Sequence, residues 1–530
     1  MTDHDSANLR RTVYRILIAL AIGIALAKVF SAENVVEPSR FKAPTEGAYG
    51  SKHPDPSVRA WPAVRPSPTP MFGSNDRSRF ATIRSLVERQ TYVIGKRIDN
   101  PAFEPGSALG SVAGFTVHRT KAAKDTPPTK LDTGLIFENG YQSLDKVMNP
   151  ETGEFYSSKP PLMPTVLAGE YWVLRNVFGQ RMDDERWPVV NIILITVNVI
   201  PFFAFLIYLA KLLEDYGTTD FGRLFTFTTA CFGTFLTTFT ITLNNHNPAA
   251  FAVFFAFYPL LKKGGPPVGE SPFKLVQSGF FAGLAATLDL PAAAFMVAVF
   301  VPLLIVRPGK TLLWFLPAML LPIVALFVCN YASLGTLMPA YSEFGGPWYN
   351  YEGSHWSKLG TPGQKGIDFA DDPKWWYAFH LTLGHHGWFS LTPVWFLAAG
   401  SLLRLAWAGR RDAVSVLKRK PLDERLWAMP LFAAMTVVVS IVLLGFFIVK
   451  SNNYGGGTSG PRWLFWLTPL WLMGLLPAAD YIGRTKLGQR FACGLLAFSA
   501  LSVFFPSISP WRHPWIMYLG EYYGWYAYGL

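Results

Sequence analysis

Charged residues are scarce in this chain: 15% of it is Asp, Glu, Lys or Arg, whereas 50% is hydrophobic. That balance excludes a soluble enzyme of ordinary make-up. Long stretches carry no charge and the charges gather between them, as segments crossing hydrocarbon require. Cysteine is nearly absent. Cys231, Cys329 and Cys493 lie far apart in apolar segments, so they read as small buried hydrophobes rather than a disulfide frame or a metal set. There is no GxxxxGK[ST] string, which removes the usual nucleotide loop. No internal repeat is found. No His, Asp and Glu set has clear metal-ligand spacing; no cofactor is certain, and a divalent metal stays open. A formal charge of +12 raises nucleic acid as a partner, yet no continuous basic surface with interleaved aromatics exists, so none is expected.

What is present is a series of apolar runs. Spans are expected near Val13–Phe30, Trp187–Leu213, Phe221–Leu243, Pro248–Leu261, Leu275–Leu290, Ala292–Val306, Thr311–Asn330, Phe389–Ala408, Leu426–Val449, Trp463–Ala479 and Phe491–Phe505. The expected class is an all-α polytopic membrane protein of about eleven transmembrane helices. Its first extracytoplasmic loop is large and carries surface helices. The segments are 1–30, an inner end and first span; 31–186, the insert; 187–330, a helix bundle; 331–388, an outer loop; 389–507, further spans; and 508–530, an aromatic outer tail. Val13–Phe30 follows Arg10, Arg11 and Arg15 and is read as an uncleaved anchor rather than a signal peptide.

Arg410, Arg411, Lys418, Arg419, Lys420 and Arg425 mark one loop as cytoplasmic. Alternation then puts the N-terminus, Lys211–Arg223, Lys262-Lys263, Arg307–Lys310 and Arg484–Arg490 inside. The insert, Asn244–Asn247, Asp289 and Lys450–Arg462 fall outside. This holds if Pro160–Phe178 does not cross. Its two prolines, Glu170 and Arg175 favour a helix lying on the membrane surface; a crossing would reverse part of the sidedness. Stretches 36–70 and 101–130 read as irregular.

Most of the suggestive polar residues share the outer face. Asp76 precedes Arg79–Val93, an amphipathic helix by spacing, so it is either an N-cap or a general base at the membrane surface. Arg77 beside it is a candidate substrate contact. Lys159, fixed by Pro160-Pro161 and flanked by Tyr156, Ser157 and Ser158, is either a phosphate clamp or a snorkelling lysine. Arg462 ends a glycine-rich string from Asn452 and begins a span, where a cation is unfavourable without an anion; the plain alternative is a flexible turn. His246 reads as a helix cap or a substrate ligand, with Asn245 next to it. Asp289 is open between catalytic, metal-binding and structural roles. His385 and His386 line a site or join an aromatic belt with Trp375, Trp376 and Trp388. Tyr454 is a further candidate contact.

Asp76, Ser-Ser-Lys-Pro-Pro-Leu from Ser157 and Tyr-Gly…Gly-Pro-Arg from Tyr454 together resemble the polytopic GT-C glycosyltransferases. The likeness is to family 39, the protein mannosyltransferase-like group, and to the aminoarabinose transferases of lipid A modification. These families often carry an acidic pair in the first loop, whereas Arg77 follows Asp76 here. No Trp-Trp-Asp string occurs; Tyr377 follows Trp375-Trp376. The resemblance implies a multi-pass protein of the bacterial inner membrane with an extracytoplasmic active site. It implies transfer of a sugar, with inversion, from a polyprenyl phosphate to a hydroxyl of a lipid, glycan or protein. Asp76 would then be the base, and Lys159 and Arg462 would hold the phosphate. The competing readings are a lipid or glycan transporter or flippase, which predicts ionisable residues at mid-membrane depth, and a catalytically inactive envelope scaffold.

Overall fold

The computed structural model of the chain describes residues 3–32, 69–99, 130–138, 140–183, 185–263, 271–358, 372–417, 429–451 and 453–526. Most of 36–70, nearly all of 101–130, and Lys418, Arg419, Lys420 and Arg425 lie outside them. The described chain is mostly helical. Among the described residues, six helices are long and apolar enough to cross a membrane: Asp5–Ser31, Arg186–Tyr216, Asp220–Ile241, Pro308–Leu334, Met429–Lys450 and Lys486–Phe504. The protein is therefore a multi-pass membrane protein. The other expected spans coincide with helices that are shorter or less apolar, among them His246–Leu261, Pro272–Leu288, Trp395–Leu417 and Thr468–Ile482.

The chain forms two compact units. One, the helical unit, comprises Met1–Phe30, Leu194–Ala325 and Pro362–Leu530; the other, the insert unit, comprises Ser31–Ile193 and Leu326–Thr361.

Aromatic packing builds the core of the helical unit. Phe205 meets Phe254 edge to face at 4.7 Å, and Phe202 packs on Phe251 at 6.0 Å. A one-turn π segment at Ile195–Val199 turns Asn198 onto the carbonyls of Thr240 and Thr242, both at 2.9 Å. Those carbonyls lie at and just beyond the end of Asp220–Ile241, and Asn244 also donates to that of Thr242. Loops expected on the inner side bond to one another. Arg10 pairs with Glu214 at 2.8 Å and with Asp220 at 2.6 Å, Lys262 pairs with Asp215 at 2.6 Å, and Asp480 accepts from the Thr218 and Thr219 amides.

The insert unit holds an element that the sequence reading did not name. β1 (Gly95–Asp99), β2 (Lys130–Thr133), β3 (Lys146–Met148) and β4 (Glu154–Ser157) form an antiparallel sheet in the order β2-β1-β4-β3. Arg97 on β1 faces Asp132 on β2 in register and makes a 2.6 Å ion pair with it. Residues within 326–358 bond to this sheet and to the residues before it: Met148 of β3 donates its amide to Trp348, and Trp356 donates its indole N–H to Leu144.

One helix packs on β4 of the sheet, and a second packs on that helix. The first runs Ser74–Glu88, five residues earlier at each end than its apolar spacing predicts. Extended Gly73 precedes it, and its amide donates to Asp76 Oδ2 at 2.8 Å. The expected lipid-facing amphipathic surface is not what forms: Arg79 and Arg84 are as buried as Phe80 and Ile83. The second, Leu162–Phe178, starts directly after Pro160-Pro161 and ends at left-handed Gly179, where the Gly179 and Gln180 amides cap Arg175 and Leu174. Leu167, Ala168, Tyr171 and Leu174 are buried, whereas Val166, Trp172, Val173, Val177 and Phe178 are exposed. Tyr171 ties this helix to the first through a 2.7 Å bond to Glu88.

Candidate functional site

The sequence-derived candidates divide between the units. Asp76, Arg77, Tyr156 and Lys159 belong to the insert unit; Asn245, His246, Asp289, His385, His386, Tyr454 and Arg462 belong to the helical unit.

In the insert unit, Asp76 occupies the third helical position rather than the N-cap itself, and it is only 1% exposed. Its bond to Gly73 makes the capping reading correct as local structure. A carboxylate has acceptor sites for more than one partner, so capping does not use up its chemistry. Arg77 reaches the carbonyls of Met71 and Gln142, both at 3.2 Å, and so braces the start of this helix. Lys159 does not snorkel: its ammonium pairs with Asp145 Oδ1 at 2.8 Å, with both side chains largely buried. The backbone around this pair is cross-linked by serines. Ser78 Oγ donates to the Asp145 carbonyl at 2.6 Å and meets Ser157 Oγ at 2.7 Å, while Ser157 Oγ accepts from the Lys159 amide.

The ion pair therefore rests on both the Ser74–Glu88 helix and β4. Tyr156 donates to Glu154 at 3.0 Å, and burial with that carboxylate pushes its phenol up to about 12, so it stays protonated. Neighbouring Lys146 is pushed down to about 8 by burial, against the pull of Asp132 and Asp145. Asp145, Ser78 and Lys146 carry no sequence motif, and pairing across the fold alone reveals them.

In the helical unit the structure joins three candidates. His246 Nδ1 lies 2.8 Å from Asp289 Oδ2, and His246 Nε2 lies 3.4 Å from Arg462 Nη1. Both partners of the first bond are buried. Arg462 also donates Nε to the Gly455 carbonyl at 3.1 Å, and its guanidinium covers the Trp511 ring at 5.0 Å. Gly455 has φ +97°, which favours glycine, and a Cβ there would stand 3.0 Å from Arg462 Nε, so the guanidinium would have to shift. The helix His246–Leu261 is not capped by His246. Asn244 Oδ1 accepts from the His246 and Asn247 amides at 2.9 and 3.0 Å, leaving the imidazole to its side-chain partners. Asn245 sits at the cap position without a side-chain cap bond.

His385 and His386 belong to a second, buried group with His380 and Tyr454, with half-buried His513 beside it. His380 stacks on His385 at 3.8 Å, His386 stacks on Tyr454 at 5.3 Å, and Tyr454 donates to Asp372 at 2.7 Å. This is an internal cluster, not the outer belt formed by exposed Trp375. Burial holds His380 down to about 4, against Asp372, and holds His385 and His386 further below the ordinary histidine range. All three imidazoles are neutral at physiological pH. Tyr454 and Gly455 are consecutive, so this cluster and the Arg462 group share one loop.

Among the described residues, no three His, Cys, Asp or Glu side chains converge in a set that could hold a metal ion. No family model, curated protein or solved structure matches the chain.

Proposed function

We propose that the protein is an integral-membrane glycosyltransferase of the bacterial cytoplasmic membrane. It moves a sugar from a polyprenyl-phosphate donor to a hydroxyl acceptor on the extracytoplasmic face, with inversion. The observation that carries this reading is Arg462. A guanidinium is fixed by Gly455, His246 and Trp511 at the start of an apolar helical run, a position where positive charge is favourable only beside an anion. Six apolar helices supply the environment for an isoprenoid tail. The exposed apolar face of Leu162–Phe178 supports a helix resting on the membrane surface.

In the proposed reaction, the acceptor oxygen attacks the anomeric carbon from the side opposite the phosphate. The bond from that carbon to the phosphate oxygen breaks, and polyprenyl phosphate leaves. Asp76 takes the acceptor proton, a contribution of roughly 10²–10⁴ in rate. The role that the resemblance implies for Lys159, and separately for Arg462, is to stabilise the charge that grows on the departing phosphate. Asp145, 2.8 Å away, aims the Lys159 ammonium. Tyr156 in the insert unit and Asn245 in the helical unit stand as sugar or acceptor contacts, while His385, His386 and Tyr454, buried against one another, back the loop that carries Arg462. Arg77, bound to two carbonyls, positions Asp76.

A panel of radiolabelled polyprenyl-phosphate sugars presented to the reconstituted protein tests the reading. Transfer from one of them to a hydroxyl acceptor supports it. No donor binding across the panel would favour a transporter or a scaffold instead.

A further inference from the structure

The Asp289–His246–Arg462 chain has a direction. Arginine can only donate, so the contact between Arg462 Nη1 and His246 Nε2 makes Nε2 the acceptor. The imidazole proton then sits on Nδ1 and is donated to Asp289 Oδ2 at 2.8 Å. Asp289 closes the helix Pro272–Leu288 in extended conformation, and Asn244 fixes the backbone at His246. The tautomer of a buried imidazole is thus set from one side and read out by a guanidinium on the other.

We propose that His246, oriented by Asp289, is a positioning residue that aims Arg462 at a lipid-linked phosphate, and that it does so only in its neutral form. This rests on the reading of Arg462 as a phosphate ligand. Protonation would turn Nε2 into a donor facing another donor, and the histidine would release the guanidinium it holds. Among the charged groups that face His246 in the helical unit are Asp289, from the end of Pro272–Leu288, and Arg462, from the turn that begins at that residue. Two further anchors of Arg462, the Gly455 carbonyl and the Trp511 ring, do not titrate. Affinity for the phosphate therefore carries an acid limb that belongs to His246.

The test measures binding of undecaprenyl phosphate methyl ester to the full-length protein in nanodiscs. A diester is chosen because a phosphate monoester itself titrates at about pH 6. Wild type is expected to bind at neutral pH and to weaken as pH falls to about 5. His246→Leu removes the acceptor and weakens neutral-pH binding by about tenfold or more. His246→Gln, whose side-chain oxygen can still accept from Arg462, retains most of the affinity and loses the acid limb. A purely structural histidine would not separate these two variants, nor would its replacement alter the pH profile.

Wild-type affinity in His246→Leu, or an acid limb that persists in His246→Gln, overturns the positioning role and leaves the phosphate reading standing. If His246→Leu fails to fold, the His246→Gln profile decides. No binding by wild type at any pH overturns both.

Discussion

Lys159 and Asp145, fourteen positions apart, meet as an ion pair at 2.8 Å across a serine-linked junction between a helix and a strand. The pair keeps a cation in a largely buried place without leaving its charge uncompensated. If Lys159 holds the donor phosphate, Lys159→Met raises the donor KM by about tenfold or more. Asp145→Asn, which keeps an oxygen acceptor, costs less. Steady-state kinetics on both variants checks this order, and equal effects would make Lys159 a structural residue.

The serine bridge makes a separate prediction about stability. Ser78 is fully buried, and its hydroxyl serves both the Asp145 carbonyl and Ser157. Ser78→Ala leaves these groups short of a partner and costs about 1–3 kcal/mol. A lowered denaturation midpoint with donor affinity retained at low temperature is the expected outcome.

Gly455 predicts a defect transmitted to a neighbour. Gly455→Ala forces an L side chain to φ +97° and pushes its Cβ against Arg462 Nε. Donor binding is expected to fall about as far as in Arg462→Lys, while Gly457→Ala, where a Cβ meets nothing closer than 3.7 Å, has little effect.

The histidine cluster sets an acid limit on folding. His380 is held down to about 4 from an ordinary 6.5, and His385 and His386 lie lower still, so the unfolded chain binds more protons than the folded one below pH 6.5. The stability of the neutral cluster is complete above pH 6.5 and is lost as pH falls towards 4 and below. Each such histidine contributes up to about 1.4 kcal/mol per pH unit across its window. Denaturation midpoints from pH 7 to about 4.5 should fall less steeply in His380→Gln than in wild type; an identical slope would count against this assignment.

The long apolar runs were legible because twenty-odd uncharged residues admit few other fates. The helix Leu162–Phe178 was legible from its two prolines, and helices lie in the described part of each expected span, six of them long and apolar enough to cross a membrane. The sheet was not, because strands of three to five residues with charges at Lys96, Arg97 and Asp132 give no alternation to read. The start of the Ser74–Glu88 helix was misplaced because Asn75, Asp76 and Arg77 look like a turn until Gly73 supplies the cap. Sequence singled out His246, Asp289 and Arg462 separately; that they bond in a row depends on packing among three distant segments. Asp145 was invisible for the same reason, since its partner Lys159 lies on the far side of a hairpin.

The central claim is that Asp76 activates the acceptor. Asp76→Asn is the direct test because the asparagine oxygen can still accept from the Gly73 amide, so the helix cap survives while the charge is lost. Sugar transfer from the polyprenyl-phosphate donor in reconstituted membranes should fall by roughly 10²–10⁴ in this variant, with donor binding unchanged. Transfer at the wild-type rate, with the protein folded, would contradict the account and move the search for the base to Asp289 and His246.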